Sequence, residues 1–142
     1  MLRAITDYLP HRPPMLLVDR IVEVGARSAV CGATLRADCV LARDGVVPAS
    51  AAIELVAQTC AIFLGARAEA GDAPAAGQIG MIAACREVTF AVDHFAIGDA
   101  LTIAVDHVFG QPAMAAFTAT VTRGDAVVAT MELSVVTREA AA

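Results

Sequence analysis

The chain has no tryptophan, one tyrosine and five phenylalanines, so aromatic residues make up only 4% of its 142 positions. With 58% of the residues apolar, the core must be built from small and branched aliphatics, much of it alanine and valine. An uninterrupted apolar run of about 18 residues is also missing, which predicts no membrane span. The N-terminal MLRAITDYLPHRPP has neither a long apolar core nor a cleavage site, so a secretory signal is not expected and the chain reads as cytoplasmic. Ten basic residues are outnumbered by fifteen acidic ones, for a net charge of −5. They form no stripe or cluster, which argues against a nucleic-acid backbone as partner. Cys31, Cys39, Cys60 and Cys85 contain no C-x-x-C pair, and the three histidines lie far from them in sequence. Buried free thiols are the expectation, with no metal site and no cofactor. Repeats, linkers and low-complexity inserts are absent, so residues 1–142 read as one domain.

What is present centres on Pro48–Ala70, PASAAIELVAQTCAIFLGARAEA. Ile53, Ala57, Cys60, Ala61 and Leu64 recur at helical spacing. Leu55, Val56, Ile62 and Phe63 fill the other sides, so this helix is apolar nearly all round and must be wrapped by the rest of its domain. Pro48 suits its start, Ser50 is a possible cap, and Gly71 fits a left-handed stop. Glu54 and Gln58, four residues apart, share one face. Ala57, Ala61 and Ile62 around them supply no polar partner, so desolvation disfavours an ionised carboxylate there. Solvent exposure in the first turn is the plain reading. The sharper one is a carboxyl facing a buried cleft, oriented by Gln58.

Around this helix the chain reads as a short helix over Arg3–Leu9, then a turn held by three prolines, Pro10-His11-Arg12-Pro13-Pro14. Strands are predicted over Met15–Val24 and Arg27–Arg36, joined by a turn at Gly25-Ala26. A loop, Ala37–Val47, carries an Asp44-Gly45 turn signal. After the helix, Gly71–Gly77 reads as a flexible return. Further strands follow over Gln78–Ala91, Leu101–Phe109, Met114–Thr122 and Val127–Thr137. Asp93–Gly98, Gly110-Gln111-Pro112 and Arg123-Gly124-Asp125 connect them, and the final alanines form a tail. Strands in series with short turns favour an antiparallel sheet. An α+β arrangement follows, in which six antiparallel strands wrap one long helix: the hotdog fold.

Three segments resemble one family. Leu9–Arg20, LPHRPPMLLVDR, is similar to the opening of the 3-hydroxyacyl-acyl-carrier-protein dehydratases. Glu54-Leu55-Val56-Ala57-Gln58 resembles their E-x-x-A-Q motif, and Ile97-Gly98-Asp99-Ala100-Leu101 their P-G-D-x-L turn. The matches fall in family order, and the first points to the dehydratase-like branch of aryl-polyene and related pathways. The resemblance implies dehydration of a 3-hydroxyacyl thioester, on acyl-carrier protein or coenzyme A, to a trans-2-enoyl thioester. It also implies a homodimer, or a heterodimer with another hotdog subunit, with sites at the subunit junction. Glu54 falls at the catalytic glutamate and Gln58 at the conserved glutamine. The family's catalytic histidine, in a G-H-F-P-G motif, corresponds to Val40 in this chain. The Pro-Gly before the helix becomes Pro48-Ala49, whose N–H still suits a thioester carbonyl.

Dehydration needs a base at Cα and an acid at the leaving hydroxyl. With no histidine at position 40, His11 in its proline-locked turn is the candidate to join Glu54, against a structural role near the first strand that the resemblance implies for it. His94 reads as exposed in a connection and His107 as a surface strand residue, while Tyr8 and Cys39 are outside candidates. Candidate catalytic residues are therefore Glu54 and His11, and candidate substrate-binding residues Gln58, Ala49, Ser50 and Met15. Two alternatives remain: a hotdog acyl thioesterase using the lone carboxylate, and an inactive accessory subunit of a hotdog dimer.

Overall fold

A computed structural model describes residues 2–71, 78–111 and 114–139. Most of the expected return at 71–77, Pro112 of one expected turn, and the alanine tail lie outside these. The elements are α1 (Ile5–Tyr8), β1 (Arg20–Val24), β2 (Ser28–Thr34), β3 (Val46–Pro48), α2 (Ala51–Glu69), β4 (Gln78–Phe90), β5 (His94–Ala96), β6 (Ala100–Gln111), β7 (Met114–Arg123) and β8 (Ala126–Glu139). Six strands form one antiparallel sheet in the order β1-β2-β6-β7-β8-β4, while β3 and β5 form a separate two-stranded ladder. The sheet packs against α2, giving the hotdog arrangement.

Strand alternation supplies the sheet's inner face. Ala29, Cys31 and Ala33 of β2 point inward with Leu101, Ile103 and Val105 of β6, Phe117 and Val121 of β7, and Met131 and Leu133 of β8. They meet Leu55, Val56, Cys60, Ile62 and Phe63 of α2, all essentially inaccessible. The Phe63 and Phe117 rings pack edge to face at 5.7 Å. By length and composition α2 could cross a membrane, yet here it is the core helix. The stripe picked out by periodicity is not its most buried one: Ile53, Ala57, Ala61 and Leu64 are only half-buried. On a helix apolar all round, periodicity cannot tell the sheet-facing side from the other.

Several boundaries differ from expectation. The strand predicted over Met15–Val24 begins only at Arg20. The N–H groups of Leu17 and Val18 are taken by the Gln58 side chain instead of a ladder. Ser50 does not cap α2: it already has helical dihedrals (φ −60°, ψ −18°) and makes no capping bond, whereas a cap needs extended backbone. Gly71 does take the left-handed conformation at φ +83°. Asp44 and Gly45, at φ +52° and +80°, make the tight turn closing Arg43 onto Val46. In β4, an edge strand, Glu87 sits at φ +51° where the register with β8 shifts, a bulge of the kind edges carry.

Candidate active site

The site begins with a helix face and an irregular segment that crosses it. Gln58, wholly buried in α2, uses every hydrogen-bonding position it has. Its Oε1 accepts the N–H groups of Leu17 (3.0 Å) and Val18 (3.2 Å). Its Nε2 donates to the Met15 carbonyl (2.8 Å) and to Glu54 Oε1 (3.1 Å). This side chain therefore fastens Met15–Val18 to the helix and sets the Glu54 carboxylate. No donor or acceptor is left for a substrate, so of the two roles expected of Gln58 the geometry fits the orienting one and not substrate binding. Met15 enters through its carbonyl, and its exposed side chain does not line the cleft.

The fastened segment carries His11 to the same carboxylate. His11 Nε2 lies 3.4 Å from Glu54 Oε1, and the two side chains keep 32% and 28% of their accessible surface. Nδ1 of His11 is buried and has no partner among the described residues. Both recorded Glu54 contacts fall on Oε1, which leaves Oε2 without a partner among the described residues. The pair heads a cleft of about 310 Å³ walled by Ala57, Ala61 and Leu64 of α2, Met81 and Ile82 of β4, and Val135 of β8. Glu54 also borders a second cavity of about 420 Å³, with Leu41, Arg43, Pro48, Ser50, Ala51 and Ile53. One carboxylate thus stands between an apolar space and the start of α2.

At that start the Ala49 N–H is already engaged with the Asp93 carbonyl at 3.1 Å. Ala49 therefore cannot polarise a thioester carbonyl as expected, because β3–β5 pairing continues past Pro48 and uses its donor. The N–H groups of Ser50 and Ala51 have no acceptor among the described residues, and both residues border the second cavity. They are the free first-turn donors.

The other candidates stand apart. Val40 is exposed at 37%. His94 is not in a connection but in β5, exposed and paired with Pro48. His107 is not a surface residue: it shares the inward face of β6 with Ile103 and Val105 and packs on Phe63 and Phe117 at 5.3 and 5.1 Å. Among the cysteines, burial pushes the Cys31 thiol up to about 11, partly offset by a hydrogen bond with Thr59. Burial, with Cys31 nearby, also raises Cys60 well above the ordinary thiol value. Such thiols are inert. No group of three or more His, Cys, Asp or Glu side chains able to hold a metal occurs among the described residues.

A family model described as ApeP-like, ApeP dehydratase, matches residues 3–142. The chain belongs to the ApeP-like dehydratase family. A chain of "The Dehydratase Heterocomplex ApeI:P from Xenorhabdus doucetiae" is 27% identical, with 98% of this chain and 93% of that one covered at a TM-score of 0.87. A hypothetical thioesterase with coenzyme A from Streptococcus pneumoniae (12% identity, 87% and 88% covered, TM-score 0.62) shares the fold. So does the PaaI protein of Escherichia coli (15% identity, 82% and 81% covered, TM-score 0.62). No match is found among curated protein sequences. For this ApeP-like chain, the sequence reading missed Ala51, whose signal was its place as the first helical residue, and Arg43. The latter had no signal, since only the folded loop carries it to the cavity.

Proposed function

We propose that this chain removes water from 3-hydroxyacyl thioesters carried on acyl-carrier protein or coenzyme A, giving trans-2-enoyl thioesters, with Glu54 and His11 as the acid–base pair. The contact of 3.4 Å between His11 Nε2 and Glu54 Oε1, at the head of an apolar cleft, carries this reading. The acyl chain lies along Ala57, Ala61 and Leu64, and the thioester carbonyl meets the N–H groups of Ser50 and Ala51. Those donors stabilise negative charge as it develops on that oxygen. Glu54 gives a proton from Oε2 to the C3 hydroxyl, which leaves as water. His11 takes the Cα proton as that C–H electron pair becomes the double bond. Transfer of this proton from Nε2 to the carboxylate resets the pair. One proton enters and one leaves, so no further reactant is needed.

A thioester panel tests the proposal. Wild-type protein should raise the enoyl absorbance of a 3-hydroxyacyl thioester without releasing free thiol. Glu54→Gln should lower turnover by about 10²-fold or more and change stability by less than about 0.5 kcal/mol, because the amide keeps the Gln58 bond. Undiminished dehydration by a folded Glu54→Gln protein refutes the role of Glu54. Free thiol in place of enoyl product supports the thioesterase alternative.

A second reading has its own support. Valine stands at the position where the 3-hydroxyacyl-acyl-carrier-protein dehydratases that the sequence resembles carry their catalytic histidine, and a similar solved chain comes from a dehydratase heterocomplex. Met81 and Ile82, 47% and 43% exposed, leave the cleft wall open along the β4 edge. We propose that a second hotdog chain covers this edge, either another copy or a different subunit that contributes to the site. Activity of the purified chain alone favours the homodimer, and activity only on mixing favours the heterodimer. A solution mass of one chain at micromolar concentration, with full activity, removes both.

A further inference from the structure

We propose that Arg12 is a positioning residue that aims His11 at Glu54; this rests on the His11–Glu54 reading above. Prolines at 10, 13 and 14 have no N–H to donate, so the turn carrying His11 has few internal bonds. Arg12 supplies the missing donors. Its Nη1 donates to the carbonyls of Leu9 (2.8 Å) and His11 (2.9 Å), and its Nη2 to that of Thr6 (3.3 Å). Its own carbonyl accepts the N–H groups of Met15 (2.9 Å) and Leu16 (3.2 Å). One residue thereby ties the body of α1, the peptide of His11 itself and the approach to β1.

His11 is held between two clamps. Arg12 gathers the chain on one side, and Gln58 fastens Met15–Val18 on the other while also bonding Glu54. Arg12 lines neither cavity at Glu54, and it makes no ion pair among the described residues, all its side-chain bonds going to backbone carbonyls. Its contribution is therefore geometric, acting on the reaction only through His11. Three carbonyls in different directions require a rigid planar fork of donors. A lysine ammonium is a point charge on a flexible stem and cannot span them. Misplacing a reacting group by about 1 Å costs about 10² in rate.

The test uses Arg12→Lys and Arg12→Gln in the assembled, active protein. Two measurements are made: kcat and KM on a 3-hydroxyacyl thioester, and nuclear Overhauser contacts between the His11 ring and the Glu54 side chain. Both variants should lose about 10²-fold in kcat with KM nearly unchanged, lose the ring contacts, and keep the wild-type melting temperature. A lysine variant with wild-type kcat and intact contacts overturns the proposal, as does a rate loss that only tracks a loss of folded protein. If wild-type protein does not turn over thioesters yet the contacts vanish in both variants, the functional reading fails and the positioning role stands. If wild-type protein turns over and the variants match it, the reverse holds.

Discussion

Replacing Gln58 by leucine removes four hydrogen bonds while nearly keeping the side-chain volume. Three of the abandoned partners are backbone groups that cannot be mutated away: the Met15 carbonyl and the Leu17 and Val18 N–H groups. Val18 is buried, so its N–H has no water to turn to, and an unsatisfied buried group costs about 1–3 kcal/mol. Met15 and Leu17 are more accessible and recover part of their loss through water. The expected destabilisation is about 2–4 kcal/mol, against a total of about 5–15 kcal/mol for a domain. The assay is urea unfolding at one fixed protein concentration, because association would otherwise shift the midpoint. With a slope of about 2 kcal/mol per molar, the midpoint should fall by about 1–2 M. A change below about 0.5 kcal/mol would show that water satisfies these backbone groups, and that the amide does not hold Met15–Val18 to the helix.

Two more outcomes are expected. Asp99 is held below its ordinary value of 3.8: burial raises it, but the Ala96 N–H and the Arg123 guanidinium together lower it more. With the folded value below the unfolded one, its contribution is complete above about pH 4. It is lost as pH falls through the lowered value. The stability gap between wild type and Asp99→Asn should therefore be constant near neutrality and shrink in acid unfolding below pH 4; a gap independent of pH refutes the pairing. Cys31 and Cys60 should resist a thiol-specific disulfide reagent at pH 8 in the native state and react once urea is added, whereas Cys39 and Cys85, both half-buried, should react first. Fast native labelling of all four would contradict the buried placement.

Much of the architecture was legible because local and global signals agree. Asp44-Gly45 and Gly124-Asp125 form the expected turns, and Gly71, just past the end of α2, takes the left-handed conformation its sequence offers. Where the reading failed, a long-range partner had overridden a local pattern. Leu16, Leu17 and Val18 look like a strand, but Gln58, about forty residues away, takes the donors of Leu17 and Val18, and the Arg12 carbonyl takes that of Leu16. The β3–β5 ladder has three residues a side, too few for any period to show, and it removes the Ala49 donor. His107 was misjudged for being polar among charged neighbours, although counting by twos from Ile103 places it inward. The Glu54/Gln58 pair stood out from chemistry as an ionisable face on an apolar helix, whereas His11 was singled out only once the resemblance left valine in place of a histidine at position 40. Arg43 and the half-open side of α2 became visible only with the fold.

The strand order has a consequence for how the protein is made. Helix α2 and β4 leave the ribosome well before β8, yet β4 enters the sheet only by pairing with β8, so the sheet over the helix cannot be completed until β8 has been synthesised. At about 5–20 residues per second, the roughly 70 residues from Glu69 to Glu139 take several seconds to emerge. Through that interval the nascent chain displays Leu55, Val56, Ile62 and Phe63 with their cover incomplete. Pairings that distant in sequence also form slowly once available. A nascent chain of this kind is a natural client for holding chaperones, and truncation ahead of β8 should yield aggregates, not a smaller folded protein.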